Sequence, residues 1–453
     1  MSSLARVVLQ MGCTITGSDL ALNRRTEALA REGAAIYQGH RAANVAASDL
    51  VVASDAIPED NPELRSARSQ GLKVVRRGEM LAWVCAGKRI VAVAGSHGKT
   101  TTCAMTAHIL DSAGLDPTVV IGGAIDEMAT GGRLGAGDAA VVEACEAFNA
   151  ILQISPEVGV ITSLDPDHLD FHGSFEALKA SFVEFGRSSA SIVGNIDDAS
   201  VGDVIAQTGG RTTTYGQSDA DYVVSGLEVG PHGTRFSLKT PDAAPLSCEI
   251  AAPGRHVALN AAAAIASCSL LGVSPADASS CLRDFESPAR RFEVLEEFAG
   301  VLIVDDYAHH PREVAELIAA ARGFAPGRRL IAVFQPHMYS RTLHMMDDFA
   351  ETLAGADRVL VVETYPAREL RKRDEDKLTP EERDSARVLA SAVGARAPHL
   401  EAEYAPSLES GAQRLTEIVR PGDLVLTIGA GDIDTVARAL SAQLEGRKQR
   451  VVR

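Results

Sequence analysis

Lys88–Ala94 reads KRIVAVA, and Gly95-Ser96-His97-Gly98-Lys99-Thr100-Thr101 follows directly. The unbroken apolar run within it, Ile90–Ala94, predicts a strand buried on both faces. The turn then leads into a helical pattern running to about Ala113. Strand, glycine-rich turn and helix together make a phosphate cradle. The glycines Gly95 and Gly98 let the backbone wrap an anion, the helix start aims N–H groups at it, and Lys99 neutralises the outer phosphate oxygens. Thr100 or Thr101 offers a hydroxyl to Mg²⁺. Val93 stands where the strict spacing has its first glycine, so the competing reading is a plain glycine turn with a surface lysine. The flanking strand and helix favour the cradle, and ATP use is expected.

Downstream, strand-like runs at Ala139–Glu143 and Val158–Thr162 each end in acids. The first delivers Glu143 and Glu146; the second runs into Asp165-Pro166-Asp167-His168-Leu169-Asp170-Phe171-His172. Carboxylates beyond the carboxyl ends of strands are where open α/β sheets hold ligands, and hard Mg²⁺ takes oxygen ligands. Two other readings compete: a zinc site using His168 and His172 at i,i+4 spacing, and loop residues that merely cap a helix at Ser174. Residues 211–250 turn β-rich (Tyr222–Ser225, Thr234–Lys239, Leu246–Ile250), and the Ala-rich run after Asn260 predicts a buried helix ended by Gly272. From Ser287-Pro288 onward, Val301–Val304, Leu330–Phe334, Arg358–Val362 and Asp423–Ile428 are strand-like, with helical patterns between them. Polar clusters follow these strands too, at 305–311, 334–342 and 429–432.

Upstream, Leu4, Val7, Val8 and Met11 fit one helix face; Cys13–Thr16 reads as a strand ending in Gly17-Ser18-Asp19. Asp49–Ala53 is a second buried strand and Lys73–Val75 a third. This is βαβ alternation with a parallel sheet. A dinucleotide-type unit places a strand and a glycine turn before its first helix and an acid after its second strand. Asp19 sits where the acid belongs; the strand and turn are absent.

The 453 residues suit about three domains of ordinary size. The charge of −16 opposes a phosphate-backbone footprint, and one Trp, seven Tyr and twelve Phe give little for base stacking, so a general nucleic-acid binder is excluded. Seven cysteines, no two closer than thirteen residues, make neither a disulfide framework nor a paired zinc motif, and they suit a reducing cytoplasm. The charged run Arg368–Asp384 and the basic tail Arg447–Arg453 read as solvated surface.

SHGKTTT (96–102), EACE (143–146), DHLD (167–170), SPARRFE (287–293) and DDYAHHP (305–311) together resemble the Mur ligases, ATP-dependent peptide-bond-forming enzymes of peptidoglycan precursor synthesis. FQPHMYSRT (334–342) and TYPARE (364–369) favour the alanine-adding branch over a tripeptide-recycling one. The resemblance implies an α/β chain of three domains. These are a Rossmann-like UDP-sugar domain over 1–87 lacking its first strand, a central P-loop ATPase-type domain over 88–286, and a Rossmann-like C-terminal domain over 287–453 for the amino acid. It implies ATP and Mg²⁺, with UDP-N-acetylmuramate and L-alanine as substrates. Gly95 through Thr101 and Asn260 would hold the nucleotide; Thr100, Glu143 and His168 would hold metal. Arg291 and Asp306 would reach ATP on domain closure, and His309, His310 and Arg341 would lie near the amino acid. Asp19, Ser54, Ala56 and Ile57 match segments around the uridine.

Three positions depart from the family pattern: Val257 and Ser163, each in place of asparagine, and Met338 in place of arginine. Val257, Met338 and the missing N-terminal turn are what a non-catalytic nucleotide-binding relative would show, and the retained Lys99, Glu143, His168, Arg291 and Asp306 argue the other way. Met1-Ser2 match the end of the family's Gly-Met-Ser turn, so the resemblance implies that a strand and turn of about 10–15 residues are missing: either the start is placed late or the UDP-sugar is expected to bind poorly.

Overall fold

The computed structural model describes residues 1–123, 131–146, 151–167, 169–241, 243–367, 369 and 378–451, with 169–170 and 446–451 described by backbone alone. The chain divides into two compact units. One holds Met1–Leu227, Arg235–Ala251 and His256–Pro288; the other holds Glu228–Thr234, Ala252–Arg255 and Ala289–Arg453.

In the first unit, the helix Ser2–Gln10 buries Leu4, Val7 and Val8 of the predicted face, while Met11, also expected there, lies past the helix end and is exposed. Each such side chain contributes about 1.5–3 kcal/mol when fully buried. The three share one core with Met80, Leu81, Ile90 and Val142, and the helix lies against the strands Thr118–Val120 and Gly132–Arg133 at the edge of the central sheet. Strands β1 (Thr16–Asp19) and β2 (Ala35–Gln38) pair in parallel, as do β3 (Leu50–Ala53) and β4 (Lys73–Arg76). Among the described residues these are two separate two-stranded sheets.

Two expectations change here. The first strand is Thr16–Asp19 rather than Cys13–Thr16, and Ala35–Gln38 is an additional strand. Both strands are held by a backbone ladder, and their side chains are partly exposed, so apolar patterning marks them poorly. For the same reason β3 is only half-buried, not the fully buried strand its LVVA sequence suggests.

The central sheet comprises β5 (Arg89–Ala94), β6 (Thr118–Val120), β7 (Gly132–Arg133), β8 (Ala139–Glu143), β9 (Val158–Ile161), β10 (Ser191–Asn195), β11 (Arg211–Gly216), β12 (Tyr222–Gly230), β13 (Gly233–Thr240) and β14 (Ala243–Ile250). Its order is β14-β13-β12-β11-β10-β9-β5-β8-β6-β7. β5 runs parallel to both β8 and β9. From β5 the chain builds outward on one side to β6 and β8, then crosses to β9 and β10 on the other. β5 is therefore the topological switch point, where the crevice of an open α/β sheet opens. The Ala-rich helix spans Arg255–Leu270, five residues earlier than its sequence suggests, and so takes Asn260 into its body.

The second unit has a six-stranded sheet. β15 (Glu293–Phe298) lies antiparallel on β16 (Val301–Asp306), followed by β20 (Asp423–Ile428), β17 (Arg329–Phe334), β18 (Arg358–Val362) and β19 (Glu401–Ala405), all parallel. Apolar clusters cover both faces: Val304, Ala332 and Leu426 on one, Ile303, Val333 and Val425 on the other. This two-sided burial is why these strands read as unbroken apolar runs. Of the charged run 368–384, residues 368 and 370–377 lie outside the described residues, and Pro380–Arg383 is a short helix with no buried residue. No helix among the described residues is long and apolar enough to cross a membrane.

Candidate active site

β5 ends at Ala94, and the turn that follows is braced from β9. Ser96 N–H donates to the Ser163 carbonyl at 2.9 Å, and His97 N–H donates to Ser163 Oγ at 3.0 Å. Thr162 Oγ1 donates to the Ala94 and His97 carbonyls at 3.1 and 2.5 Å. The His97 ring pairs with Asp165 at 2.8 Å. Ser163, which departs from the family pattern, thus holds the loop through both its backbone and its hydroxyl. Gly95 has φ +131° and lies against Thr162 and Ser163, where a Cβ would collide with both. Gly98, at φ +77°, sits against the Asn260 amide. These close approaches require glycine and explain the spacing of the two. Asn260 is buried in the Ala-rich helix. Val257, in place of asparagine one turn earlier, is simply core.

Lys99 and Thr100 open the helix Lys99–Ser112, and each meets an acid. Lys99 Nζ donates to the Gly95 and Ser96 carbonyls and lies 3.2 Å from Glu146 Oε1. Burial works to lower the lysine's pKa, but neighbouring charge, Glu146 foremost, outweighs it and holds the ammonium above its ordinary range. Thr100 Oγ1 donates to Glu143 Oε2 at 2.8 Å, and Gly122 N–H donates to the same oxygen at 3.0 Å. Hydroxyl and carboxylate oxygens this close suit a hard divalent cation, and a lysine beside them suits phosphate. Thr101 is buried in the same helix turn. His168 lies outside the described residues. Nearby, the His172 ring donates to the Glu146 carbonyl at 3.1 Å. Ser174 itself caps the helix Phe175–Ser188, its hydroxyl accepting from the Ala177 N–H.

Among the uridine-side residues, Asp19 ends β1, and Ser54, Ala56 and Ile57 form the turn after β3. Ser54 is engaged by the Ile57 N–H at 3.0 Å and by Arg76 at 3.3 Å. Next to Asp19, the Ser18 hydroxyl bridges His40 at 3.0 Å and Glu63 at 2.7 Å, a contact set with no sequence signal because its members are 22 and 45 residues away.

In the second unit the paired acids after β16 divide their work. Asp305 is buried against Arg290 (2.8 Å) and Thr427 Oγ1 (2.6 Å), while Arg290 also donates to the Gly429 and Gly431 carbonyls. Asp306 accepts the Phe292 and Ala308 N–H groups at 2.6 and 2.7 Å. Burial pushes its pKa up to about 6, against the pull of Arg291. Arg291 itself lies over the Tyr307 ring at 5.1 Å, with its guanidinium uncommitted to the Asp305 lock. The structural part of Arg290 was not legible in the sequence, because Asp305 and the Gly429 and Gly431 carbonyls are 15, 139 and 141 residues away.

His309 packs edge-on to Tyr307 (5.6 Å) and tilted against His337 (5.4 Å), and His337 stacks on Tyr365 (5.6 Å). Arg341 approaches His337 Nδ1 at 3.3 Å. His310 caps the helix Pro311–Phe324 and is buried. Met338 holds φ +73° with its N–H on the Tyr365 carbonyl, and Glu369 accepts the Tyr339 and Ser340 N–H groups. FQPHMYSRT and TYPARE are thus parts of one structure, joined at His337, Met338 and Tyr365.

Models of the Mur ligase family match the chain in three consecutive pieces: the family's catalytic domain over residues 1–89, its middle domain over 93–268, and its glutamate ligase domain over 290–431. A UDP-N-acetylmuramate–L-alanine ligase of Anaeromyxobacter dehalogenans is 41% identical, covering 98% of this chain and 95% of that protein. The chain belongs to the Mur ligase family. Another Mur ligase relative, a UDP-N-acetylmuramate–L-alanine ligase of Halorhodospira halophila, is 42% identical over 98% of this chain and 91% of its own. The crystal structure of the UDP-N-acetylmuramate–alanine ligase of Thermotoga maritima superposes with a TM-score of 0.84 at 26% identity, covering 99% and 97% of the two chains. The α/β architecture in three parts is that of the Mur ligases.

Proposed function

We propose that this chain joins L-alanine to the lactyl carboxylate of UDP-N-acetylmuramate at the expense of ATP, in peptidoglycan precursor synthesis. The observation that carries this reading is the end-to-end relationship to ligases of that name in a chain whose Lys99, Thr100 and Glu143 stand together at the switch point. In the reaction the carboxylate attacks the γ-phosphate of ATP, giving an acyl phosphate and ADP; the amine of alanine then displaces phosphate. The difficulty is bringing a carboxylate and a triphosphate together, and the solution is positive charge and positioning, with no enzyme nucleophile needed.

Residues 88–286 supply the nucleotide site. The loop Gly95–Thr101 and Asn260 bind and orient ATP, and Lys99 offsets phosphate charge. Thr100, Glu143 and His168 would hold Mg²⁺, which supplies further charge neutralisation when bound. Residues 1–87 take the UDP-sugar through Asp19, Ser54, Ala56 and Ile57. Residues 287–453 take alanine near His309, His310 and Arg341, and Arg291 and Asp306 serve the nucleotide. Free thiols and ATP use suit the cytoplasm.

The test is phosphate release by the purified protein with ATP, Mg²⁺, UDP-N-acetylmuramate and single amino acids. L-Alanine should be fastest. Turnover only with another amino acid, or only with a peptide, would reassign the substrate.

A further inference from the structure

We propose that Glu146 is a positioning residue for Lys99: its carboxylate holds the lysine when no nucleotide is bound, in the place a β-phosphate takes, and opposes nucleotide binding until displaced. The inference rests on the ATP reading above. An ammonium has three donors. Those of Lys99 are met by the Gly95 carbonyl, the Ser96 carbonyl at 3.2 Å and Glu146 Oε1 at 3.2 Å. The two carbonyls belong to the loop itself, so they stay with the lysine as long as the cradle keeps its shape. Glu146 comes from the segment after β8 and is the one partner a phosphate oxygen can replace.

That segment is pinned on both sides of the carboxylate. Ala144 N–H donates to the Val93 carbonyl at 2.9 Å, and the His172 ring donates to the Glu146 carbonyl at 3.1 Å. Glu146 is 2% exposed, so its charge does not leave the site by swinging into water. An incoming phosphate therefore meets an anion already seated on the cation it needs. Glu143 differs: its contacts, Thr100 Oγ1 and the Gly122 N–H, are neutral donors, and it withholds no cation. The two acids of EACE thus have opposite consequences, one offering oxygen to a metal and the other occupying the lysine.

The experiment is calorimetric titration of wild type and Glu146→Gln with ADP and with AMP, without added metal. Glutamine keeps the shape and one oxygen acceptor but removes the charge. ADP, whose β-phosphate the lysine reaches, should bind roughly tenfold tighter to the variant. AMP should bind both proteins alike. Glu146→Asp, which keeps the charge but shortens the reach, should fall between them for ADP and serves if the glutamine variant does not fold. Equal or weaker ADP binding by the variants overturns the proposal, as does equal tightening of AMP, which would mark a general charge effect. If wild type binds neither ADP nor ATP with Mg²⁺, the phosphate cradle itself is lost, and the proposal with it.

Discussion

Two sets of strand ends in this molecule carry paired charges, and they are built differently. At the mouth of β5, β8 and β9, Lys99 meets Glu146 and Thr100 meets Glu143, each through one side-chain contact that a ligand can take over. At the mouth of β16 and β20, Arg290 is fixed at once by Asp305 and by the Gly429 and Gly431 carbonyls, and Asp305 is fixed again by Thr427. Neither charge of that pair is left to exchange. The same topology, parallel strands ending in acids, thus carries charges paired through one side-chain contact each at one mouth and a wired, multiply fixed Arg290–Asp305 pair at the other. What separates them is how many backbone groups share each charge.

Breaking the wired end should have the largest effect. Replacing Arg290 by Ala strands the 1%-exposed Asp305 without its cation and should cost about 3–5 kcal/mol, read as a lowered urea midpoint. A loss under 1 kcal/mol would show that the two mouths are alike. At the exchangeable end, Lys99→Ala should lower kcat/KM for ATP on the order of a hundred- to thousand-fold in the fraction that stays folded. Retained turnover would sink the assignment of the loop to phosphate.

Asp306 offers a pH test of the wired side. Its folded pKa is raised from 3.8 to about 6, so the fold binds its proton more tightly than the unfolded chain does. Its contribution is therefore fully present below about pH 4 and is lost as pH rises through 6, a change of roughly 3 kcal/mol. Urea unfolding between pH 4 and 7 should show wild type losing stability relative to Asp306→Asn over that window; parallel curves would refute the burial argument. The smallest effect belongs to Arg291. Its stacking on Tyr307 is worth about 0.5–1 kcal/mol, so Arg291→Ala should hardly move the midpoint while raising the KM for ATP. A midpoint loss as large as that of Arg290→Ala would erase the distinction between the neighbouring arginines.

The legible parts of this fold were those where both faces of a strand are covered. β5, β8, β16, β17, β18 and β20 show as apolar runs because burial on two sides leaves no polar period. β1 and β2 did not show, since TGSD and AIYQ are held by backbone ladders with their side chains partly exposed. In the site, Gly95 to Thr101 were legible because their glycines and lysine sit together between an apolar run and a helical pattern, and Glu143 and Glu146 because they follow another apolar run. The bracing by Thr162 and Ser163, the division of labour between Asp305 and Asp306, and the row from Tyr307 to Tyr365 were not. Each depends on contacts between residues distant in the chain or on which of two identical neighbours faces inward.

The sequence by itself determined the family and the α/β class, because these are written in local spacing and in the polarity of single segments. Only the tertiary structure decided partners. It placed Glu146 rather than Glu143 on Lys99, and Arg290 rather than Arg291 on Asp305. The physical reason is that a charge is committed by what lies within about 3 Å of it, and strand order sets that distance across the sheet.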